Sequence, residues 1–186
     1  MAGWFKAGKN DNSGHRSLEE QMLGLKQALE LAKGKTVLDL GCAEGLISRE
    51  FAKAGASLVL GIEVIKEFVN DAVELCKNYS NVSFILANLD DKVKAPVINK
   101  YDIVLALAII HKAHNPIEYL QFSMDSCAAK GLLVIRYPVN ASNGVLKSKH
   151  TDATCDVAGT LVSSGFNIIA KYAGPREEEV EYWRKG

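Results

Sequence analysis

Five short apolar runs, Thr36 to Leu40, Ser57 to Glu63, Val82 to Leu86, Tyr101 to Ala108 and Gly131 to Tyr137, alternate along the chain with segments whose apolar residues recur at helical spacing. This alternation is the strongest constraint on the fold. Parallel neighbouring strands need a crossover long enough to hold a helix, so a strand-helix-strand order implies a parallel sheet with helices on its faces. Between the runs, Leu46, Ile47, Phe51 and Ala54 mark a helix from Glu44 that Gly55 stops, and Phe68, Val69, Ala72, Val73 and Cys76 mark another. Asn115 followed by Pro116 reads as a helix cap and first helical position, opening a helix to about Ala129. A further helix is indicated by Val157, Leu161 and Val162. Ahead of the first strand, Ser17 with Glu20 three residues on predicts a capping box, with Leu18, Met22, Leu25 and Leu29 as the apolar stripe of one helix ended by Gly34. The last two strands, Phe166 to Tyr172 and about Glu177 to Trp183, are joined through Gly174 and Pro175 and must pair antiparallel. The expected fold is a doubly wound, mostly parallel seven-stranded α/β sheet with a C-terminal antiparallel hairpin.

Composition narrows the function classes. The 186 residues suit a single domain, 1–186. With 22 Lys and Arg against 22 Asp and Glu, a strong diffuse attraction to nucleic acid or anionic lipid is not expected, although a local basic patch stays open. The longest apolar run, Ile103 to Ile110, is far short of the roughly 20 residues of a membrane-spanning helix. No apolar stretch follows the basic residues near the N-terminus, so the chain is expected to be cytoplasmic. Cys42, Cys76, Cys127 and Cys155 form no CxxC pair and read as reduced, packed thiols, with no metal site.

In such a sheet the ligand lies beyond the carboxyl ends of the strands, where strand order reverses. The first strand-to-helix turn reads VLDLGCAEG, Val37 to Gly45, in which Gly41 and Gly45 permit a tight turn and close approach of backbone to ligand. Glu63 closes the second strand, where it can accept from both ribose hydroxyls of a nucleoside. A dinucleotide site would want glycine in place of Ala43, and Glu44 beside a pyrophosphate would repel it by about 4 kcal/mol at ~4 Å and an effective dielectric near 20. Asp39, Glu44 and Glu63 suit a cationic, phosphate-free ligand instead.

The segment VLDLGCAEGLIS resembles the first motif of class I, Rossmann-like S-adenosylmethionine (SAM)-dependent methyltransferases. IEV (Ile62 to Val64), ANLDD (Ala87 to Asp91), YDIVLALAIIH (Tyr101 to His111), GLLVIRYP (Gly131 to Pro138) and the GFNIIAKY and EVEYWRKG tail follow in the family's order, so the likeness covers about residues 20 to 186. The resemblance implies SAM as cofactor and methyl transfer as the reaction. It also implies that Asp39 and the turn Gly41, Cys42, Ala43, Glu44 and Gly45 line the methionine half of SAM. Glu63 would hold the ribose, Val64 would flank adenine, Asn88 or Asp90 with Leu89 would meet its amine and ring, and Ala106 would lie beside the methionine backbone.

His111, at the end of the fourth strand, is the first candidate for a general base, against a plain packing role. His114 reads as a surface residue, and Arg136 and Tyr137 as either substrate contacts or strand-end packing. His150 falls in a polar stretch, Asn140 to Asp152, read as a mobile substrate loop or a solvated connection. Residues 1 to 16, with Trp4 and Phe5, read equally as a lid or a frayed end, and Glu177, Glu178, Glu179 and Glu181 as a solvated strand face. No [DNS]PP[YFW] segment follows the fourth strand, so the resemblance gives no support to amino methylation of adenine or glutamine. The methyl acceptor is left open among a small metabolite, a nucleotide and a protein side chain. The rival functions are a catalytically silent SAM-binding module or partner subunit and, disfavoured by the first turn, a nicotinamide oxidoreductase.

Overall fold

A computed structural model describes residues 16–90, 100–138 and 145–186, so readings that fall on residues 1–15, 91–99 and 139–144 lie outside the described residues. Strands β1 (Thr36–Leu40), β2 (Leu58–Glu63), β3 (Val82–Leu86), β4 (Tyr101–Leu107) and β5 (Cys127–Pro138) are parallel. A short antiparallel pair, β6 (Val145–Lys147) with β7 (Thr154–Asp156), stands apart from the main sheet. The hairpin of β8 (Phe166–Ala173) and β9 (Glu178–Lys185) joins the main sheet through β9, antiparallel to β5. The main sheet has seven strands in the order β3-β2-β1-β4-β5-β9-β8.

Period-two alternation sends neighbouring residues of the central strands into different cores. Val104, Ala106, Leu133 and Ile135 enter one apolar cluster, and Ile103, Leu105, Leu132 and Val134 the other. The helices cover both faces: α3 (Leu46–Lys53), α4 (Lys66–Leu75), α5 (Pro116–Asp125) and α6 (Val157–Ser163). All four cysteines are buried free thiols. Among the described residues no helix is long and apolar enough to cross a membrane.

Several details depart from the sequence expectations. The first helix is two, α1 (Leu18–Met22) and α2 (Lys26–Leu31), although the Ser17–Glu20 capping box forms as expected. The break lies at Gly24, whose φ is +76° and whose missing Cβ would stand 2.8 Å from Val180 Cγ2. The chain bends there to lie on β9, and the Tyr182 hydroxyl donates to Gly24 O at 2.7 Å. Helix α5 stops at Asp125 rather than near Ala129, because Ser126 turns its hydroxyl onto Phe122 O and Cys127 pairs with Tyr101 on β4. The acidic stretch of the hairpin is not uniformly solvated. Glu181 is 1% exposed and takes Trp183 Nε1–H at 2.9 Å and the Lys171 ammonium.

Gly24→Ala should therefore cost about 2 kcal/mol, from a strained φ and a clash with Val180. Gly34→Ala, at φ +72° with nothing within 4 Å of the new Cβ, should cost less. Urea denaturation of the two variants measures the difference.

Candidate active site

Strand order reverses between β1 and β4, so the connections leaving their carboxyl ends diverge. A cavity of about 430 Å³ opens at that point, a size typical of a small-molecule site. The first turn forms its floor. Gly41 (φ +71°) and Ala43 (φ +48°) are both left-handed, and the N–H groups of Gly41 and Cys42 reach Ile62 O on β2 at 2.9 and 3.1 Å. A side chain at Gly41 would strike Ile109 at 2.9 Å, across the crevice.

Glu63 ties this turn to the next one. Its Oε2 accepts from Ala43 N–H at 3.0 Å, and its Oε1 accepts from Val64 and Ile65 N–H at 2.8 and 3.0 Å. Asp39, 2% exposed, lines the same cavity and accepts from Ser48 Oγ at 2.6 Å. Burial pushes its carboxyl up to about 6, the Ser48 hydrogen bond and the Arg136 charge oppose the shift, and Glu63 adds to it.

After β3, Asp90 accepts from the backbone N–H of His114 at 3.1 Å and contacts His114 Nδ1 at 2.9 Å. The His114 ring stacks on His150 with centroids 4.9 Å apart. Thr151 Oγ1 and Ser148 Oγ donate to His114 O and Ala113 O, holding the β6–β7 connection against the loop after β4. His114 and His150 thereby both line the cavity.

A buried polar cluster closes the other side. Arg16 meets Glu178 through two hydrogen bonds of 3.3 and 3.1 Å, and Arg136 Nε lies 3.1 Å from the same carboxylate. Arg136 also donates to Gln21 O and Gln21 Oε1 at 3.0 and 2.9 Å. Glu178, read in sequence as part of a solvated face, is buried at the centre of this cluster, because it opens β9 directly beside β5.

Of the residues singled out in sequence, Asp39, Gly41, Cys42, Ala43, Glu63, Val64, Asn88, Leu89 and Asp90 line the cavity together. Glu44, Gly45, Ala106 and His111 are not part of its wall. Gly45 serves packing instead, since its missing Cβ would come within 2.7 Å of Ala72 Cβ and 2.9 Å of Phe84 Cζ. With Glu44 outside the wall, the acidic side chains that line the cavity are Asp39, Glu63 and Asp90. Ala106 points into the core, one residue short of the strand end where Leu107, Ala108 and Ile109 form the wall.

His111 lies in a 3-10 turn, Ile110–Lys112, 6% exposed, with no hydrogen bond to Nδ1 among the described residues. Burial, with Lys149 and Lys112 nearby, pushes it down to about 4, so the ring is neutral and set back from the cavity. The next residue faces the cavity in its place: Lys112 is in the wall, and burial with the Lys149 and Arg16 charges lowers its ammonium to about 8. Tyr137 is buried away from the cavity, its hydroxyl pushed up by burial and by Glu181. Gln21, Lys112 and Tyr119 also line the cavity although no motif marks them, and Arg16, at the end of the segment read as a lid or a frayed end, lines it too. Among the described residues no group of three or more His, Cys, Asp or Glu could hold a metal ion.

The parallel sheet and its order, reversed between β1 and β4, define an α/β protein of the doubly wound class. The family described as Methyltransferase domain matches residues 31–179, and the chain belongs to it. Over 106 residues it is 29% identical to the ubiquinone biosynthesis O-methyltransferase of Glaesserella parasuis serovar 5, covering 55% of this chain and 44% of that protein. The chain spans less than half the length of the curated relatives it matches. Its fold is similar to that of the magnesium protoporphyrin IX methyltransferase (ChlM) of Synechocystis PCC 6803 solved with bound S-adenosylhomocysteine (SAH), at TM-score 0.71 and 18% identity over 91% of this chain and 84% of that one. It is also similar to that of the [4+2]-cyclase SpnF, at TM-score 0.69 and 14% identity over 87% of this chain and 80% of that one.

Glu178→Gln should destabilise the protein by about 3 kcal/mol, because it leaves two buried guanidinium groups without their shared carboxylate. Glu177→Gln, one residue away and exposed, should stay within about 0.5 kcal/mol. Equilibrium unfolding of the pair checks this.

Proposed function

We propose that this chain is a SAM-dependent methyltransferase that acts in the cytoplasm on an acceptor still to be identified, either a small metabolite or a nucleotide or side chain of a macromolecule. The observation that carries the reading is the cavity at the β1/β4 crevice, in which Asp39, Glu63 and Asp90 face the space above a bare glycine turn. Around the turn those carboxylates suit a cationic nucleoside and oppose a diphosphate, while Arg16, Arg136 and Lys112 supply the basic part of the wall.

The residues present fit the cofactor. Val64, 55% exposed at the cavity edge, and Leu89 would flank adenine, with Asn88 and Asp90 at its amine. Asp39 and the Gly41–Ala43 turn would meet the methionine end. A carboxylate offers about four acceptor positions, and three on Glu63 are taken by backbone N–H groups. Holding both ribose hydroxyls therefore requires Glu63 to release one of them, and Ala43 N–H, the donor from the neighbouring turn, is the one we assign.

SAM, when bound, supplies a methyl group on a sulfonium that any aligned nucleophile can attack. The protein's part is to hold donor and acceptor in line, an ordering effect worth up to roughly 7–11 kcal/mol. Where the acceptor atom must lose a proton, Lys112 rather than His111 is the cavity residue suited to take it, because its lowered ammonium gives a neutral amine fraction near pH 8. The second reading, a SAM-binding protein without methyl transfer, is favoured by the likeness to a [4+2]-cyclase, which shows that the fold is not confined to methyltransferases. Incubation with tritiated SAM and fractionated metabolites, RNA and protein decides between them: label in one fraction is expected, and label in none with SAM bound supports the second reading.

Two binding measurements test the cofactor site. Glu63→Ala should weaken SAH binding by about 1.5–3 kcal/mol, the value of one charge-assisted hydrogen bond, in calorimetric titration. SAM affinity should also fall on acidification. Ionised Asp39 attracts the cation, and a carboxyl raised to about 6 takes up its proton as pH drops through that value. The fall should set in below about pH 6, with a slope of at most roughly tenfold per unit for the one proton taken up. Asp39→Asn should bind SAM more weakly and lose this component of the pH dependence.

A further inference from the structure

Tyr119 is 6% exposed on α5 and is one of the residues that line the cavity. Its hydroxyl is buried and makes no hydrogen bond among the described residues. Tyr182 shows what a structural buried phenol looks like here, since its hydroxyl donates to Gly24 O at 2.7 Å and accepts from Ala28 N–H at 3.3 Å. An unpartnered buried hydroxyl is rare in native proteins, and where packing alone matters phenylalanine serves as well or better.

The surroundings indicate what would satisfy it. Burial raises the phenol's ionisation well above the ordinary value, and Glu63, Asp39, Asp90 and Cys42, all in the cavity wall, add to the shift. The group is therefore a neutral O–H donor at the acidic end of the cavity. The proposed ligand's adenosyl moiety carries an exocyclic amine and two ribose hydroxyls, which suit Asn88, Asp90 and Glu63 as acceptors. Its ring nitrogens are acceptors only, and carboxylates cannot serve them.

We propose that the Tyr119 hydroxyl donates a hydrogen bond to a ring nitrogen of adenine and so helps select the base. The inference rests on the SAM-binding reading above. Tyr119 is a binding residue in this role and takes no part in the methyl transfer. Because the oxygen is withdrawn from solvent, binding must bring it and the base together by a small side-chain adjustment.

The test is calorimetric titration of SAH and of its 1-deaza, 3-deaza and 7-deaza analogues into the wild-type chain and Tyr119→Phe, with thermal melts of both proteins without ligand. The variant should bind SAH roughly fivefold to tenfold more weakly, while its ligand-free melting temperature is unchanged or raised. One deaza analogue should lose the same factor on the wild-type chain and nothing further on the variant. Equal SAH affinity in the two proteins overturns the proposal, and so does a variant whose loss adds fully to that of every analogue. A wild-type chain that takes up no SAH overturns the cofactor reading and this proposal together, whereas wild-type binding with an unaffected variant overturns this proposal alone.

Discussion

The Glu63 carboxylate, bonded to three backbone N–H groups from two separate turns, is the constraint around which the cavity is built. It fixes the turn after β1 against the turn after β2, at the end of the sheet where the chain reverses its winding. A left-handed alanine at position 43 is held there by this acceptor, and Gly41 lets Ile109 approach from the far side of the crevice. The acidic centre and the bare backbone are thus parts of one device.

A second constraint acts across the length of the chain. Glu178 on β9 joins Arg16, ahead of the first helix, to Arg136 on β5, and Arg136 in turn holds Gln21 on α1. Burying charges is costly, and the cluster offsets that cost by setting both guanidinium groups against one carboxylate and giving their terminal nitrogens acceptors on β9 and α1. It brings the N-terminal helix to the cavity edge, where Arg16 and Gln21 complete the wall. The bend at Gly24 over Val180 is part of the same docking.

Much of this was legible in the sequence. Strand runs, helix caps and the final hairpin each rest on local chemistry, and the seven-stranded sheet follows from their alternation. Gly41 to Ala43, Glu63 and Asn88 to Asp90 reach the cavity wall, because each sits at the carboxyl end of a strand and topology alone delivers it to one rim. Other expectations failed where the outcome depended on contacts distant in sequence. Periodicity gave one helix through residues 18–29, while docking on β9 broke it. Four glutamates in a short stretch looked solvated, while pairing with β5 buried two of them. His111 looked aimed at the site by its place after β4, while a single 3-10 turn buried it and turned Lys112 to the cavity.

The sequence by itself determined the parallel α/β sheet, its order of elements and the acidic glycine turn, because these follow from side-chain periodicity and backbone freedom within a few residues. Only the tertiary structure decided which charged and polar groups face the cavity. Burial, ion pairing and the direction of a side chain at a strand end depend on partners more than a hundred residues away, as Arg16 with Glu178 and Gln21 with Arg136 illustrate.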